Sequence, residues 1–294
     1  MNEEKSFPKT SINWFPGHMV KTINEMKNNI KLIDIVCVVL DSRIPESSKN
    51  NIIFDIAKDK PIIIVLNKCD LADKNKLEEK VKEYIDKGYN VVKTNANIGD
   101  GIKDLINTII SVGKATKYSN KTSEEYKNIN PIYRVLISGI PNVGKSTIIN
   151  KLAGKKIANV GNKPGVTRSK QWIRIENNIE LLDTPGILWP KLDENNAGIK
   201  LAVTGNIREE ILDLEELAFY LINYLRSNED YLFMLKQRYS IQENIDELEA
   251  YEVFELIGEK RGALLKGREI DYNKTAKIIL DEFKEGIIGK ISLE

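Results

Sequence analysis

The run Gly139-Ile140-Pro141-Asn142-Val143-Gly144-Lys145-Ser146-Thr147 carries the clearest chemistry in the chain. It has the form GxxxxGK[ST], it follows the apolar stretch Tyr133–Ser138, and a helix pattern starts at Lys145. Backbone N–H groups of such a loop, pointing toward a helix N-terminus, form a nest for phosphate oxygens. Gly139 and Gly144 permit the tight path, while Asn142, Val143 and Thr147 complete the cradle. Lys145 then bridges the β- and γ-phosphates and Ser146 offers its hydroxyl to Mg²⁺.

Two later features fit a triphosphate. Thr167, in the Gly- and Pro-rich segment after the loop, is placed to join the metal and sense the γ-phosphate. Asp183-Thr184-Pro185-Gly186 reads DxxG at the end of an apolar strand. Asp183 is expected to hold Mg²⁺ through water, and Gly186 to offer its N–H to the γ-phosphate.

The base is specified elsewhere. Asn67-Lys68-Cys69-Asp70 reads NKxD at the end of Ile62–Leu66. The two oxygens of Asp70 match the N1–H and exocyclic amine of guanine, a donor pair that adenine lacks. A site built for such a pair discriminates strongly, because the wrong base leaves its buried polar groups unpaired. Asn67 is expected to brace the loops and Lys68 to lay its stem along the base. Asn95-Ala96 stands where a Ras-like protein contacts the guanine oxygen. A Ras-like chain presents these motifs as phosphate loop, DxxG, NKxD; here NKxD comes first. The position after DxxG, which in Ras carries the water-orienting Gln, holds Ile187. Either hydrolysis is slow or another group positions water. His18, the single histidine, lies in Trp14-Phe15-Pro16-Gly17-His18-Met19 at a helix start, where the helix dipole disfavours imidazolium. By residue type alone, a helix-start residue packed beside Trp14 and Phe15 is the favoured reading.

The elements that must position these groups alternate strand with helix. Apolar, β-branched runs at Ile35–Leu40, Ile62–Leu66, Val91–Lys93, Tyr133–Ser138 and, near 170–175 and 178–182, two more, predict a mainly parallel sheet. Helices are expected at 19–33, 73–88, 101–114 and from Lys145 to about Leu152. The polar stretch 114–131 reads as a linker. Beyond Pro190 the pattern is helical only, at 209–226, 246–258 and 272–285, with Asp271 a plausible N-cap. The expected organisation is a circularly permuted, Ras-like α/β domain over 1–190 and an all-helical domain over 191–294.

Composition bounds the rest. The chain has 294 residues, 41% apolar and 30% charged, with a formal net charge of +1, as for an ordinary globular protein. Charge is uneven: residues 195–294 hold 13 basic and 20 acidic side chains, so the first 194 residues are net positive. Lys260, Arg261, Lys266, Arg268, Lys274 and Lys277 concentrate positive charge locally, as an RNA-binding patch or as a solvated helix face. Cys37 and Cys69 make no disulfide framework. The opening MNEEKSFPKT lacks the apolar core of a signal peptide and no apolar run is long enough to span a bilayer, so a cytoplasmic location is expected.

Together with the motif order, the segments WFPGHM at 14–19, DSRIPESS at 41–48, GIPNVGKST at 139–147, PGVT at 164–167, LLDTPGILWPK at 181–191, KLAVTG at 200–205 and GEKRG at 258–262 resemble the ribosome biogenesis GTPase A family of circularly permuted GTPases over nearly the whole chain. The resemblance implies a cytoplasmic, monomeric GTPase that converts GTP to GDP late in assembly of the large (50S) ribosomal subunit. It implies binding to the subunit precursor and its rRNA, and hydrolysis stimulated by the particle. It further implies a catalytic role for His18, a hydrophobic residue at 187, and a K⁺ ion held with Asn142. Asn95-Ala96 departs from the small polar pairs of relatives. Two other readings stay open at this stage: a GTP-dependent RNA-binding switch that does not hydrolyse, and a GTPase acting on another RNA.

Overall fold

The computed structural model describes residues 17–117, 131–154, 172–175, 178–183, 196–207, 212–245 and 247–294, with backbone alone at 17–22, 117 and 183. Its centre is a six-stranded sheet in the order β3-β2-β1-β4-β6-β5. The strands are β1 Ile35–Asp41, β2 Ile62–Asn67, β3 Asn90–Thr94, β4 Tyr133–Ser138, β5 Trp172–Ile175 and β6 Ile179–Asp183. All pairings are parallel except β5 with β6, an antiparallel edge. Every residue of β1 is buried, which explains its unbroken apolar run: a central parallel strand is covered on both faces.

Register fixes where chemistry can occur. Asp41 pairs with Asn67 and Asn67 with Thr94, while β4 enters beside β1 with Val38 opposite Ser138. Ile137 pairs with Asp183. The carboxyl ends of the central strands therefore line one edge of the sheet, the usual place for a ligand in an open α/β fold.

The helices that flank the sheet are α1 Gly17–Asn29, α2 Asn51–Ile56, α3 Lys74–Asp86, α4 Ile102–Lys117 and α5 Lys145–Leu152. The expected helix at 19–33 ends early, at Asn29, and tightens into a 3₁₀ turn over Ile30–Leu32. Met26 and Ile33 are still buried. The short α2 gave no periodic signal at six residues; Asn50 caps it by accepting from Ile52 N.

The remaining helices are α6 Ala197–Val203, α7 Leu214–Arg226, α8 Glu229–Tyr239, α9 Ala250–Lys260 and α10 Tyr272–Lys284. The helix expected from 209 begins at Leu214, where Asp213 accepts from the N–H groups of Glu215 and Glu216. Asp271 caps α10 as expected, accepting from Lys274 N at 3.0 Å. Helix α8 was not foreseen. Its buried stripe is only Tyr231, Leu235 and Tyr239, narrower than the pattern of an amphipathic helix, and Phe233 is 64% exposed. Leu221, Leu225, Phe254, Ile279 and Phe283 belong to the same contiguous core as Val39, Ile137 and Ile140 of the sheet edge and phosphate loop. No helix among the described residues is long and apolar enough to cross a membrane.

The last residues return to the sheet edge. Ile291 N donates to Leu71 O at 3.0 Å and Leu293 N to Arg43 O at 2.8 Å. Ser292 Oγ accepts from Asp73 N at 3.1 Å, and Tyr231 OH donates to Asp73 Oδ2 at 3.0 Å.

Candidate nucleotide site

The phosphate loop takes its shape from three left-handed positions: Gly139 at φ +152°, Asn142 at +56° and Gly144 at +100°. At Gly144 the reason is spatial as well as conformational, because a Cβ there would lie 2.2 Å from Asn67 Nδ2. That amide donates to Val143 O at 2.7 Å. Its oxygen accepts from Thr94 Oγ1 at 3.0 Å and from Ala96 N at 3.2 Å. One buried side chain thus joins the phosphate loop, the end of β2 and the loop after β3. A motif residue expected to brace loops does so through both ends of its buried amide, as burial of polar groups demands.

The same edge carries Lys68, Cys69 and Asn95. Lys68 stands at φ +60°, and Cys69 N donates to Thr94 O at 3.2 Å. Asn95 holds its own turn, accepting on Oδ1 from Asn97 N at 3.1 Å and on its carbonyl from Gly99 N at 2.9 Å. A cleft of about 1090 Å³ opens here, lined by Asn67, Lys68, Asp70, Asn95, Ala96, Asn142, Gly144 and Thr147. Residues separated by up to 80 positions in the chain therefore face one space. The volume suits a nucleoside triphosphate, slightly beyond the usual range for small-ligand clefts.

On the phosphate side, Lys145 is buried at 7% exposure and its Nζ donates to Ile140 O at 2.7 Å, inside the loop. Ser146 follows it in the first turn of α5. Asn142 donates through Nδ2 to Gly205 O at 3.0 Å, which ties the loop to the end of α6. Asp183 ends β6 beside Ile137; its side chain is outside the described residues. Thr167, Gly186 and Ile187 also lie outside them, as does the side chain of His18, whose backbone is in the first turn of α1.

Sequence reasoning gave Asp41 and Arg43 no role. Arg43 is 1% exposed and grips Asp41 with Nε to Oδ1 at 3.0 Å and NH2 to Oδ2 at 2.8 Å. Lys68 Nζ donates to the same Oδ2 at 2.8 Å, and Asn206 Nδ2 at 3.1 Å. Burial would push the Asp41 carboxyl up, but the charges of Arg43 and Lys68 and their hydrogen bonds outweigh it and hold it far below the usual carboxylate range. The signal was an Asp at the carboxyl end of a strand adjacent to NKCD, with a basic residue two positions on.

The six basic candidates of the helical part are divided among surroundings. Lys266 and Arg268 sit in an exposed turn closed by the Leu264–Ile270 bridge. Lys274 Nζ reaches Gly262 O at 3.2 Å. Lys260 pairs with Glu243 at 3.7 Å, whereas Arg261 shares Glu282 with Arg238, at 2.6 and 2.7 Å. Burial raises the Glu282 carboxyl, but the hydrogen bonds and charges of its partners bring it below its ordinary value. Lys277 lines the nucleotide cleft, together with Asp281, Lys284 and Glu285 of α10.

Comparison with known proteins fits this geometry. A family model described as a 50S ribosome-binding GTPase matches residues 134–256. It starts in β4, so NKCD, earlier in this chain, falls outside the match. Ribosome biogenesis GTPase A of Priestia megaterium is 42% identical over 97% of this chain and 96% of its own length. Mitochondrial ribosome-associated GTPase 1 of Mus musculus is 32% identical over 96% of this chain and 89% of its own length. The crystal structure of GNP-bound YlqF from T. maritima superposes with a TM-score of 0.61 at 27% identity, covering 93% of this chain and 97% of that one. With motif order, strand order and near full-length similarity in agreement, the chain belongs to the ribosome biogenesis GTPase A family and is a circularly permuted P-loop GTPase that hydrolyses GTP.

Proposed function

We propose that this GTPase works in assembly of the large ribosomal subunit, binding the precursor particle and its rRNA in the GTP state and hydrolysing GTP when the particle stimulates it. The observation that carries the nucleotide half is the Asn67 amide, which joins phosphate loop and base loops around one cleft. The ribosomal half rests on the names of relatives similar over almost the whole chain.

In this reading guanine lies against Asp70, with the Lys68 stem along its face and Asn95-Ala96 at its oxygen. The phosphates lie on the backbone from Gly139 to Thr147, with Asn142 and Val143 in the turn, and Lys145 exchanges Ile140 O for β- and γ-phosphate oxygens. The residues fit Mg²⁺: Ser146 supplies a hydroxyl in the first turn of α5, and Asp183 ends the strand beside the one that enters the loop. Thr167 and Gly186 complete the γ-phosphate side. Mg²⁺ held by these residues would supply charge neutralisation on the phosphates. For K⁺, the Nδ2 bond from Asn142 to Gly205 O leaves the amide oxygen as the atom that would hold a cation. Ile187 can neither donate nor accept, so His18 is proposed to position the attacking water.

RNA contact is assigned to Lys266 and Arg268 first, with Lys274 beside them, because their turn is exposed. Lys260, Arg261 and Lys277 are engaged within the protein or on the cleft and contribute less. The proposed working form is a cytoplasmic monomer. The test is GTP turnover in KCl and in NaCl, with and without large-subunit precursor particles, for wild type and His18→Ala. Expected are stimulation by particles and K⁺ in wild type, and retained GTP binding with loss of that stimulation in His18→Ala. Turnover that neither particles nor K⁺ accelerate overturns the reading.

A further inference from the structure

We infer that Asp41 is the positioning residue for the guanine-packing lysine, and that Arg43 makes this positioning depend on how the helical part is seated. The inference rests on the proposed role of Lys68 along the base.

A lysine stem has four rotatable bonds and large rotamer entropy, so it lies along a base reproducibly only if its tip is anchored. The anchor is Asp41 Oδ2, 2.8 Å from Lys68 Nζ. Asp41 is itself immobilised at 0% exposure: Arg43 N, Nε and NH2 all donate to it, and Asn206 Nδ2 donates to Oδ2. Two cations on one buried carboxylate leave an excess positive charge, which needs further acceptors. Arg43 finds them in the helical part: NH2 donates to Thr204 O at 3.0 Å and NH1 approaches Lys284 O at 3.5 Å. The guanidinium also lies 5.7 Å from the ring centre of Phe283. Lys68 and Arg43 repel each other and share one anion, so where Arg43 sits sets where the anion, and then Lys68, can sit.

The helical part therefore touches the base side of the nucleotide through a chain of charges: α6 and α10, Arg43, Asp41, Lys68. Coupling of this kind is reciprocal. Guanine held by Lys68 favours the seated helical part, and a displaced helical part loosens the base; on the phosphate side it costs the loop the Asn142 tie to Gly205 O but leaves the loop's internal bonds, such as Lys145 to Ile140 O, in place.

The experiment compares equilibrium binding of GTP with that of ribose 5′-triphosphate, which keeps sugar and phosphates but has no base, using the full chain. Asp41→Asn keeps the shape and removes the charge. It is expected to weaken GTP by about tenfold or more, roughly one step on the affinity scale, while ribose triphosphate changes less than about twofold. Phe283→Leu acts from the helical side, removing the ring against Arg43 while leaving Asp41, Arg43 and Lys68 themselves unchanged, and is expected to weaken GTP by about threefold and to spare ribose triphosphate. It carries the test if Asp41→Asn does not fold. Equal losses for both ligands, or none for GTP, overturn the positioning role. Wild type binding both ligands equally well instead overturns the base reading of Lys68 and the inference with it.

Discussion

Asn67 makes three hydrogen bonds, one to the phosphate loop and two to the end of β3 and the loop after it, and few residues in the chain show more directly how a side chain becomes a site. Its amide is buried, so each bond lost leaves a polar partner stranded. Asn67→Ala is expected to lower unfolding free energy by about 1–3 kcal/mol in urea titration and to weaken GTP binding in parallel, since the loops around the cleft lose their common tie. Normal GTP affinity in a variant of reduced stability would show that the loops hold their shape without it. The residue was legible from its motif. The partners of Arg43 were not: Thr204 O and Lys284 O lie 161 and 241 positions away, and no local pattern announces a backbone carbonyl as an acceptor.

At the scale of elements, the phosphate loop is read from spacing because its geometry is local. Gly144 must take φ +100° to cap α5, and the space beside it is filled by Asn67 Nδ2. Gly144→Ala is expected to reduce GTP affinity by at least about tenfold, as a left-handed alanine costs roughly 1–3 kcal/mol before the clash is counted. Unchanged affinity in calorimetry would mean that the loop relaxes without loss. Strands β1 and β2 were equally legible, because burial on both faces forces an unbroken apolar run, and β4 was legible from Val135, Leu136 and Ile137 despite the exposed Arg134. The short α2 and the narrow-striped α8 were not: six residues hold too few turns for a period, and a stripe three residues long resembles chance. Their N-caps, Asn50 and Asn228, were the available signals.

At the scale of the whole molecule, permutation moves the chain ends without moving the sheet. The strand order keeps the phosphate-loop strand β4 between β1 and β6, so the nucleotide edge is intact. The helical part packs its core onto that edge, and the C-terminal residues run along it. Glu294 accepts from Glu46 N at 2.7 Å, pairs with Lys200 at 3.1 Å and accepts from the Ser47 hydroxyl. Leu293, 2% exposed, contributes a core contact at the end of the chain. Leu293→Ala is expected to cost roughly 2–5 kcal/mol by thermal or urea unfolding, as in an ordinary core. A loss below about 0.5 kcal/mol, typical of a surface change, would show that this tail is not part of the cooperative fold.

The sequence by itself determined the nucleotide, the strand-and-helix alternation and the permuted order of motifs. Each depends on residues close in the chain, where spacing and chemistry are enough. Tertiary structure decided what joins the NKCD loop to the helical part: a buried carboxylate shared by Arg43, Lys68 and Asn206, with the acceptors that complete Arg43 supplied by the ends of α6 and α10. Such a cluster is stable only when several distant segments exclude water from it together. Its members carry no common spacing, and only the packed fold brings them within hydrogen-bond reach.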